Sequence, residues 1–360
     1  MRFERVRFFN FRNLKDRELS LGSPRIFLVG ENGQGKTNLL EALHLLCLGS
    51  SFREKRESSF VRDAETPLAL QAVLESEEAG NSTLSLQLTP GRRKEIRLNE
   101  KLVTERRSLL SEVLCIAFVQ QDMDFVVGTP EDRRRFFDQT LVLSDHSFID
   151  SLHAYRQILR SRNLSLKDRR DDLLDVYDVQ LAATGLAVQK RREDLVRRFD
   201  AAFDPLFRDI TGSELPVQIR YRPSWEGLSS TDEVMAHLGA CRTRDKLLST
   251  TTSGPHRDAC TYVMDGKEYG HFASTGQLRL CALALRVAQV RFLAEVTRRK
   301  PILLLDDVLL ELDPNRKRAF LSRLPACEQA IFTFLPDETW QSHLTPETRV
   351  LNVTAGEFSS

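Results

Sequence analysis

The 360-residue sequence lacks any apolar run near the roughly 20 residues that a membrane-spanning helix needs. It also lacks a strong charge of either sign, because 52 Lys and Arg nearly balance 51 Asp and Glu and leave a net charge of +1. Its first residues show neither the apolar core nor the small-residue cleavage site of a secretory signal. We therefore expect a cytoplasmic protein without a membrane partner, in which nucleic-acid contacts would depend on local basic clusters.

Cysteine pairs of the CxxC kind are missing too, so the sequence predicts no zinc site. Most of the six cysteines lie beside apolar residues, and we interpret them as reduced core residues. They are Cys47, Cys115, Cys241, Cys260, Cys281 and Cys327.

What is present is a change of periodicity along the chain. Residues 1–125 begin as strand, glycine-rich turn and helix, and continue with the alternation typical of half-buried antiparallel strands. Within residues 126–250, the stretch from about Glu131 to Asp209 is charged and helical, with room for two or three helices of up to about 30 residues. Residues 251–360 return to short apolar strands around a helix. We predict an α/β fold in which a parallel core sheet and an antiparallel β-subdomain form a head, interrupted by a mainly helical second lobe.

The strongest chemical signal matches the phosphate-loop pattern GxxxxGK[ST]. Its glycines let backbone N–H groups approach phosphate oxygens, and the following helix adds the positive end of its dipole. The Lys36 ammonium would neutralise phosphate charge, and the Thr37 hydroxyl would bind Mg²⁺. A chance glycine turn is the alternative, but a strand before the loop and a helix after it favour nucleotide binding. The loop consists of Gly30, Glu31, Asn32, Gly33, Gln34, Gly35, Lys36 and Thr37.

The second signal is the apolar strand Ile302–Leu305, which ends in two carboxylates. A buried strand would deliver both acids to the sheet edge where α/β folds bind ligands. Asp306 would hold Mg²⁺, and Asp307 would orient or deprotonate an attacking water. Solvated aspartates at a strand end are the alternative, which the phosphate loop makes less favoured.

The third signal is a turn of small residues, Ser274, Thr275 and Gly276, followed by Gln277 and a helix. Such a turn can bind an anion at the helix N-terminus. An ordinary helix cap explains it equally well. The turn lies about 30 residues before the acidic strand. ABC-type ATPases have their signature motif and acidic strand in this same order.

These motifs, in this order, make the sequence resemble the RecF family of ABC-type ATPases over nearly its whole length. The resemblance implies an ABC-type head, with residues 1–125 and 251–360 as its halves and residues 126–250 as the inserted lobe. Other stretches that carry the likeness are Asn10–Asn13, Gly49–Arg53, Arg133–Asp138, Gly254–Asp258 and Glu311–Asp313.

The resemblance implies roles for the matched residues. Lys36 and Asp307 would act in catalysis. Ser274, Gly276 and Gln277 would cap the γ-phosphate of ATP bound by a second copy of the chain. ATP and Mg²⁺ are therefore the implied cofactors.

Further positions follow from the same resemblance. Asp313 would belong to the loop that communicates across the dimer, either Gln120 or Gln121 would sense the γ-phosphate, and Arg12 would approach the nucleotide. The chain departs from the common pattern at Asp307, where most transporter ATPases have Glu. The shorter side chain suits a slow switch.

The implied function is an ATP-dependent DNA-binding protein of recombinational gap repair and replication. Two heads would close on ATP and clamp duplex DNA near single-strand gaps or junctions, and slow, DNA-stimulated hydrolysis would release it. The implied partners are RecR and RecO, and through them RecA. The alternative is the ATPase subunit of an ABC transporter, which explains the three motifs but not the segments Arg133–Asp138 and Gly254–Asp258.

Several basic clusters could line a DNA groove, although most such clusters are solvated surface. They are Arg53–Arg56, Arg92–Lys94, Arg133–Arg135, Lys190–Arg192 and Arg197–Arg198.

Overall fold

The structure is a computed structural model that describes residues 1–54, 56–76, 80–310 and 312–360. Its strands are β1 Arg2–Phe9, β2 Arg17–Ser20, β3 Arg25–Val29, β4 Leu68–Ser76, β5 Gly80–Leu88, β6 Glu95–Leu98, β7 Lys101–Leu102, β8 Cys115–Phe118, β9 Val217–Arg222, β10 Ala259–Met264, β11 Lys267–Glu268, β12 Ile302–Leu305, β13 Gln329–Phe334, β14 Thr348–Thr354 and β15 Glu357–Ser359. Its helices are α1 Lys36–Leu48, α2 Arg107–Glu112, α3 Asp124–Val127, α4 Pro130–Ser144, α5 Ser147–Lys167, α6 Leu174–Thr211, α7 Thr231–Leu248, α8 Thr275–Thr297 and α9 Pro314–Arg323.

The chain divides into two compact units. The first contains Met1–Asp122 and Val290–Ser360, and the second contains Met123–Gln289. The division falls within α8. It places residues 251–289 with the helical lobe, whereas the sequence analysis assigned them to the head. The division into head and inserted lobe at residues 125 and 250 stays a prediction. Within the described ranges, no helix combines the length and the apolarity needed to cross a membrane.

The core of the first unit is a six-stranded sheet in the order β15-β14-β3-β13-β12-β8. Strands β14, β3, β13, β12 and β8 run parallel, and only β15 pairs antiparallel. All four residues of β12 and all six of β13 are buried, which is why β12 is a continuous apolar run and β13 is apolar except for Gln329 and Thr333. Helix α1 buries its leucines against this sheet.

A second sheet in the first unit is antiparallel, with the order β2-β1-β4-β5-β6-β7. In β4, every second residue from Leu68 to Leu74 is buried, which is the alternation seen in the sequence. Strand β2 is a short edge strand of four residues that the sequence analysis did not anticipate. The two sheets give the parallel core and the antiparallel β-subdomain that were predicted.

The second unit is mainly helical, with a small antiparallel sheet in the order β11-β10-β9. The predicted limit of about 30 residues per helix was wrong for α6, which has 38 residues and continues past Pro205. Proline removes one backbone donor from a helix. The helix persists because Phe203, Leu206 and Phe207 around it are buried, and because Asp204 accepts a hydrogen bond from Val217 N–H at 2.9 Å.

Two buried arginines organise this unit. Arg162 contacts Asp178 at 2.6 Å and Asp245 at 2.7 Å, and none of the three side chains is more than 1% exposed. Arg192 contacts Asp138 at 2.8 Å and Asp258 at 2.9 Å. Removal of one partner would leave a buried charge unpaired. The first cluster therefore joins α5, α6 and α7, and the second joins α4 and α6 to the segment that contains Asp258.

Candidate nucleotide-binding site

The phosphate loop connects the end of β3 to the start of α1. Gly35 is the N-terminal cap of α1 and has φ 115°, a backbone conformation that residues with a Cβ rarely adopt. Gly30 has a different reason to be glycine, because a Cβ there would collide with the carbonyl oxygen of Val353 in β14. The loop is therefore shaped both by its own turn and by the neighbouring strand.

Lys36 is the first residue of α1 and is only 4% exposed. Its ammonium donates to the carbonyl oxygens of Gly30 and Glu31, the latter at 3.1 Å. These bonds fold the side chain back over the loop. An ammonium in that place can reach a phosphate held by the loop's N–H groups.

The loop is held from outside by the turn between β14 and β15. Gln34 accepts hydrogen bonds from Ala355 N–H at 2.6 Å and from Gly356 N–H at 2.9 Å. On the other side, the Asn13 amide donates to the Gly33 carbonyl at 2.9 Å. The sequence analysis missed this C-terminal turn, although the Ala355-Gly356 pair between alternating residues was an available hairpin signal.

The acidic end of β12 lies beside the helix that follows the phosphate loop. The Thr37 hydroxyl donates to Asp306 Oδ1 at 2.8 Å. Burial, helped by the negative charge of Asp307, raises the pKa of Asp306 to about 6. A divalent cation would offset both causes, and a hydroxyl beside a carboxylate is the hard oxygen donor set that Mg²⁺ prefers. The geometry of Thr37 and Asp306 thus fits the predicted metal site.

Asp307 has a separate partner in the next strand. The Thr333 hydroxyl donates to Asp307 Oδ1 at 2.8 Å and accepts from Asp307 N–H at 2.7 Å. Sequence reasoning did not select Thr333. The available signal was one polar residue in the otherwise apolar end of β13.

A buried glutamate in α1 connects two arginines. Glu41 is fully buried and lies 2.5 Å from Arg12 Nε and 2.9 Å from Arg53 Nη2. The Ser51 hydroxyl also donates to it at 2.5 Å. The predicted approach of Arg12 to a nucleotide stays a prediction, because the contact shown here is to Glu41.

The signature residues belong to the second unit, at the start of α8. Ser274 and Gln277 form a reciprocal cap, with Ser274 N–H donating to Gln277 Oε1 at 2.8 Å and Gln277 N–H donating to Ser274 Oγ at 3.3 Å. Both residues and Gly276 are exposed. The ordinary cap is therefore present, and a role in binding a second copy's nucleotide stays a prediction.

The remaining predicted positions are also exposed. Gln120 and Gln121 begin a short 3₁₀ turn after β8. Asp313 caps α9 by accepting from Asn315 N–H at 3.0 Å and from Arg316 N–H at 3.1 Å. Glu311, which was matched with Asp313, lies outside the described residues.

The basic clusters differ in the exposure of their side chains and in whether their charges are paired with carboxylates. Arg192 is 4% exposed and bound to two aspartates, so it is a structural cation rather than a surface one. Lys94 pairs with Glu57 at 2.6 Å, and Arg133 pairs with Glu268 at 2.5 Å. Lys55 lies outside the described residues.

Comparison with known sequences gives matches along nearly the whole chain. The family model described as the RecF/RecN/SMC N terminal domain matches residues 2–355. The DNA replication and repair protein RecF of Treponema pallidum (strain Nichols) is 38% identical over 348 residues, which cover 96% of this chain and 98% of that protein. RecF of Rippkaea orientalis (strain PCC 8801 / RF-1) is 32% identical, with 97% of each chain covered.

Solved structures give the same result. The recombination mediator protein RecF-ATP in the RecFOR pathway matches with a TM-score of 0.89 and 27% identity, covering 99% of this chain and 98% of that one. An Smc head bound to the C-winged helix domain of ScpA matches with a TM-score of 0.59 and 14% identity, a likeness of fold alone. These structures confirm the predicted ABC-ATPase-like α/β head with a helical lobe. The sequence matches and the structural matches together show that this chain belongs to the RecF family.

Proposed function

We propose that this protein is an ATP-dependent DNA-binding protein that acts in recombinational gap repair and replication. ATP binding closes two copies head to head, and the homodimer clamps duplex DNA near single-strand gaps. Slow hydrolysis, stimulated by DNA, then releases it in the cytoplasm. Together with RecR and RecO, the protein supports the loading of RecA.

The observation that carries this proposal is the contact between Thr37 and Asp306, at 2.8 Å, next to the buried Lys36 of the phosphate loop. Residues of the predicted phosphate site and metal site thus meet at one edge of the sheet. Mg²⁺ held there by Thr37 and Asp306 would neutralise phosphate charge. Lys36 would bind the β- and γ-phosphates, while the N–H groups of the loop would orient them.

Hydrolysis requires a group that orients water for attack on the γ-phosphate, on the side opposite the leaving ADP. Asp307 follows the metal-site acid directly and lies at the same strand end, so it is the residue that we assign to this step. A second copy would supply Ser274, Gly276 and Gln277 to the γ-phosphate. Because the cap of α8 leaves these residues exposed, no refolding is needed for that contact.

The ATPase subunit of a membrane transporter is the less favoured function. It accounts for the nucleotide motifs alone. The relatives that match this chain over 96–97% of its length are named as DNA replication and repair proteins.

The test is the mass of the protein in solution, measured by light scattering after gel filtration. We expect a monomer without nucleotide, a dimer with ATP, and a larger complex when gapped duplex DNA is added. Lys36→Met is the matched variant, since it removes the ammonium but keeps a side chain of similar length. It should stay monomeric and lose ATP-dependent retention of DNA. Equal DNA retention by both proteins would contradict the switch.

A further inference from the structure

Thr333 is a polar residue in a buried part of the central sheet. In the parallel pair of β12 and β13, Leu305 lies opposite Phe332, so Thr333 is next to the point where the chain leaves β12 for its two acids. The Thr333 side chain is 3% exposed. A hydroxyl in such a place needs a partner, and its partner therefore shows what the residue does.

The partner is Asp307, through two reciprocal hydrogen bonds. Asp307 N–H donates to Thr333 Oγ1 at 2.7 Å, and the hydroxyl donates back to Asp307 Oδ1 at 2.8 Å. Asp306 Oδ1 is more distant, at 3.4 Å. Since a hydroxyl has one hydrogen, the nearer carboxylate takes it.

The two neighbouring acids are thereby held by different hydroxyls. Asp306 receives its hydrogen bond from Thr37 in α1, and Asp307 receives its own from Thr333 in β13. Asp307 also has φ 52°, a left-handed conformation that is unfavourable for residues other than glycine. The bond from its N–H to Thr333 helps to hold that turn, and the turn sets the direction of the carboxylate.

A purely structural role for Thr333 is the competing explanation, because threonine is a common strand residue. In a purely structural role, the buried hydroxyl would need only a hydrogen-bond partner of any kind. Here both bonds go to one residue just beyond the end of the neighbouring strand β12, and one of them goes to the carboxylate itself. This arrangement restricts the rotation of the Asp307 side chain as well as its backbone.

We propose that Thr333 is a positioning residue for hydrolysis, which holds the Asp307 carboxylate in the orientation that directs water at the γ-phosphate. The inference rests on the proposed ATPase function and on the assignment of Asp307 within it. It adds a residue outside the phosphate loop, the acidic strand end and the signature turn.

The first experiment separates nucleotide binding from hydrolysis. Thr333→Val keeps the shape of the side chain and removes both hydrogen bonds. We expect an ATP dissociation constant within about twofold of wild type and single-turnover hydrolysis about tenfold slower or more, since a bond to a charged group is lost. Thr333→Ser, which restores the hydroxyl, should return the rate to within about threefold. Thr348→Val is the control, because it makes the same change in the same sheet, at the start of β14, which is separated from β13 by β3.

The second experiment is a double-mutant cycle with Asp307→Asn, in which the slow residual rate of that protein is measured under single-turnover conditions. If Thr333 acts through the Asp307 carboxylate, Thr333→Val should cause little further loss in the Asp307→Asn protein. An equal loss in both backgrounds, or a wild-type rate in Thr333→Val, would overturn the proposal. Melting temperatures are measured for every variant, and Thr333→Ala replaces the valine variant in the cycle if that protein does not fold.

The two possible failures are distinguishable. If the wild-type protein neither binds nor hydrolyses ATP, the proposed function is wrong. If the wild type hydrolyses ATP and Asp307→Asn hydrolyses it far more slowly, but Thr333→Val hydrolyses it as fast as wild type, only the role of Thr333 is wrong.

Discussion

Thr37 and Asp306 are 269 positions apart in the chain, and their side chains meet in a hydrogen bond of 2.8 Å. The contact joins the helix after the phosphate loop to the acidic end of β12. A cation bound at this junction would have one hydroxyl and one carboxylate as protein ligands.

We therefore expect Asp306→Asn to lose the part of ATP affinity that depends on Mg²⁺. An amide has no charge to hold the cation, so the loss should be about tenfold or more. Calorimetric titration with Mg²⁺ and with a chelator measures the difference. Asp337→Asn, at an exposed position of the same unit, should behave like wild type. The metal assignment fails if Mg²⁺ strengthens ATP binding equally in Asp306→Asn and wild type.

Asp307→Asn should slow hydrolysis so strongly that the cycle stays for long periods in the ATP-bound state. The amide keeps the size of the side chain but cannot accept a proton from water, so the ATP-bound dimer should persist. Sedimentation velocity with ATP should show dimer for hours, whereas wild type returns to monomer as ATP is consumed. Adding Lys36→Met to this variant should restore the monomer. A variant that is monomeric in ATP would show that Asp307 does not limit opening of the dimer.

Ser274→Ala tests the contact between copies. The change removes a helix cap, which costs about 1 kcal/mol of stability, and also removes the hydroxyl offered to the second copy's nucleotide. We expect the dimer fraction with ATP to fall while ATP binding by the monomer stays within about twofold.

The matched control for that variant is Ser230→Ala. Ser230 caps α7 with the same reciprocal geometry, its Oγ accepting from Glu233 N–H at 3.3 Å. Both variants should lose similar stability in a thermal melt, but only Ser274→Ala should affect the dimer. Equal dimer fractions in the two variants would mean that Ser274 is only a cap.

Gly356→Ala should weaken nucleotide binding although the residue is far from the phosphate-loop pattern in the sequence. Its φ is +80°, and a Cβ would collide with the carbonyl oxygen of Asn13. The turn must then move away from Gln34, and the loop loses its outer support. We expect ATP affinity to fall by about tenfold, equivalent to about 1.4 kcal/mol.

Gly266→Ala provides the control for backbone strain alone. Gly266 is also in a hairpin turn, with φ +73°, but nothing lies within 4 Å of the added Cβ. Both variants should lose some stability. A similar loss of ATP affinity in both would contradict the supporting role of the C-terminal turn.

His256 predicts a pH dependence of stability. Burial lowers its pKa to about 4, with smaller effects from Arg257, Arg134 and Arg192. The neutral ring accepts from the Tyr155 hydroxyl at 2.6 Å and donates to Thr251 O at 3.0 Å. In the unfolded chain the pKa returns to about 6.5.

The direction in which stability changes with pH follows from proton binding. Between pH 6.5 and pH 4, the unfolded state binds a proton that the folded state does not, so stability decreases as pH falls through this window and the loss levels off below it. The loss should reach about 3 kcal/mol and be absent in His256→Gln. Urea unfolding across this pH range, with the exposed His153→Gln as control, measures it. Parallel curves for wild type and His256→Gln would show that His256 is not responsible.

The phosphate loop and the acidic strand end could be predicted from the sequence, because the residues that bind phosphate and Mg²⁺ are restricted in type and spacing. The phosphate loop and the strand Ile302–Leu305 appear in the structure at the positions expected from the sequence. Continuous apolar runs indicated the parallel strands, and alternation indicated the antiparallel sheet.

The missed features depend on pairing between distant segments. Thr333 has no local pattern that shows its bonds to Asp307, and Gly356 could not be connected to Asn13 without the order of the sheet. The length of α6 was underestimated, and in the structure the burial of residues around Pro205 outweighs the lost backbone hydrogen bond.

The support of the phosphate loop by β14 and the turn after it has a consequence for synthesis of the chain. β14 pairs with β3, and Gly356 N–H bonds to Gln34. The phosphate loop is therefore synthesised early, but it is fully supported only after β14 and the turn that follows it have been synthesised. Incomplete products that end before this strand would carry the whole nucleotide motif, but their phosphate loop would lack the support of β14 and the turn after it.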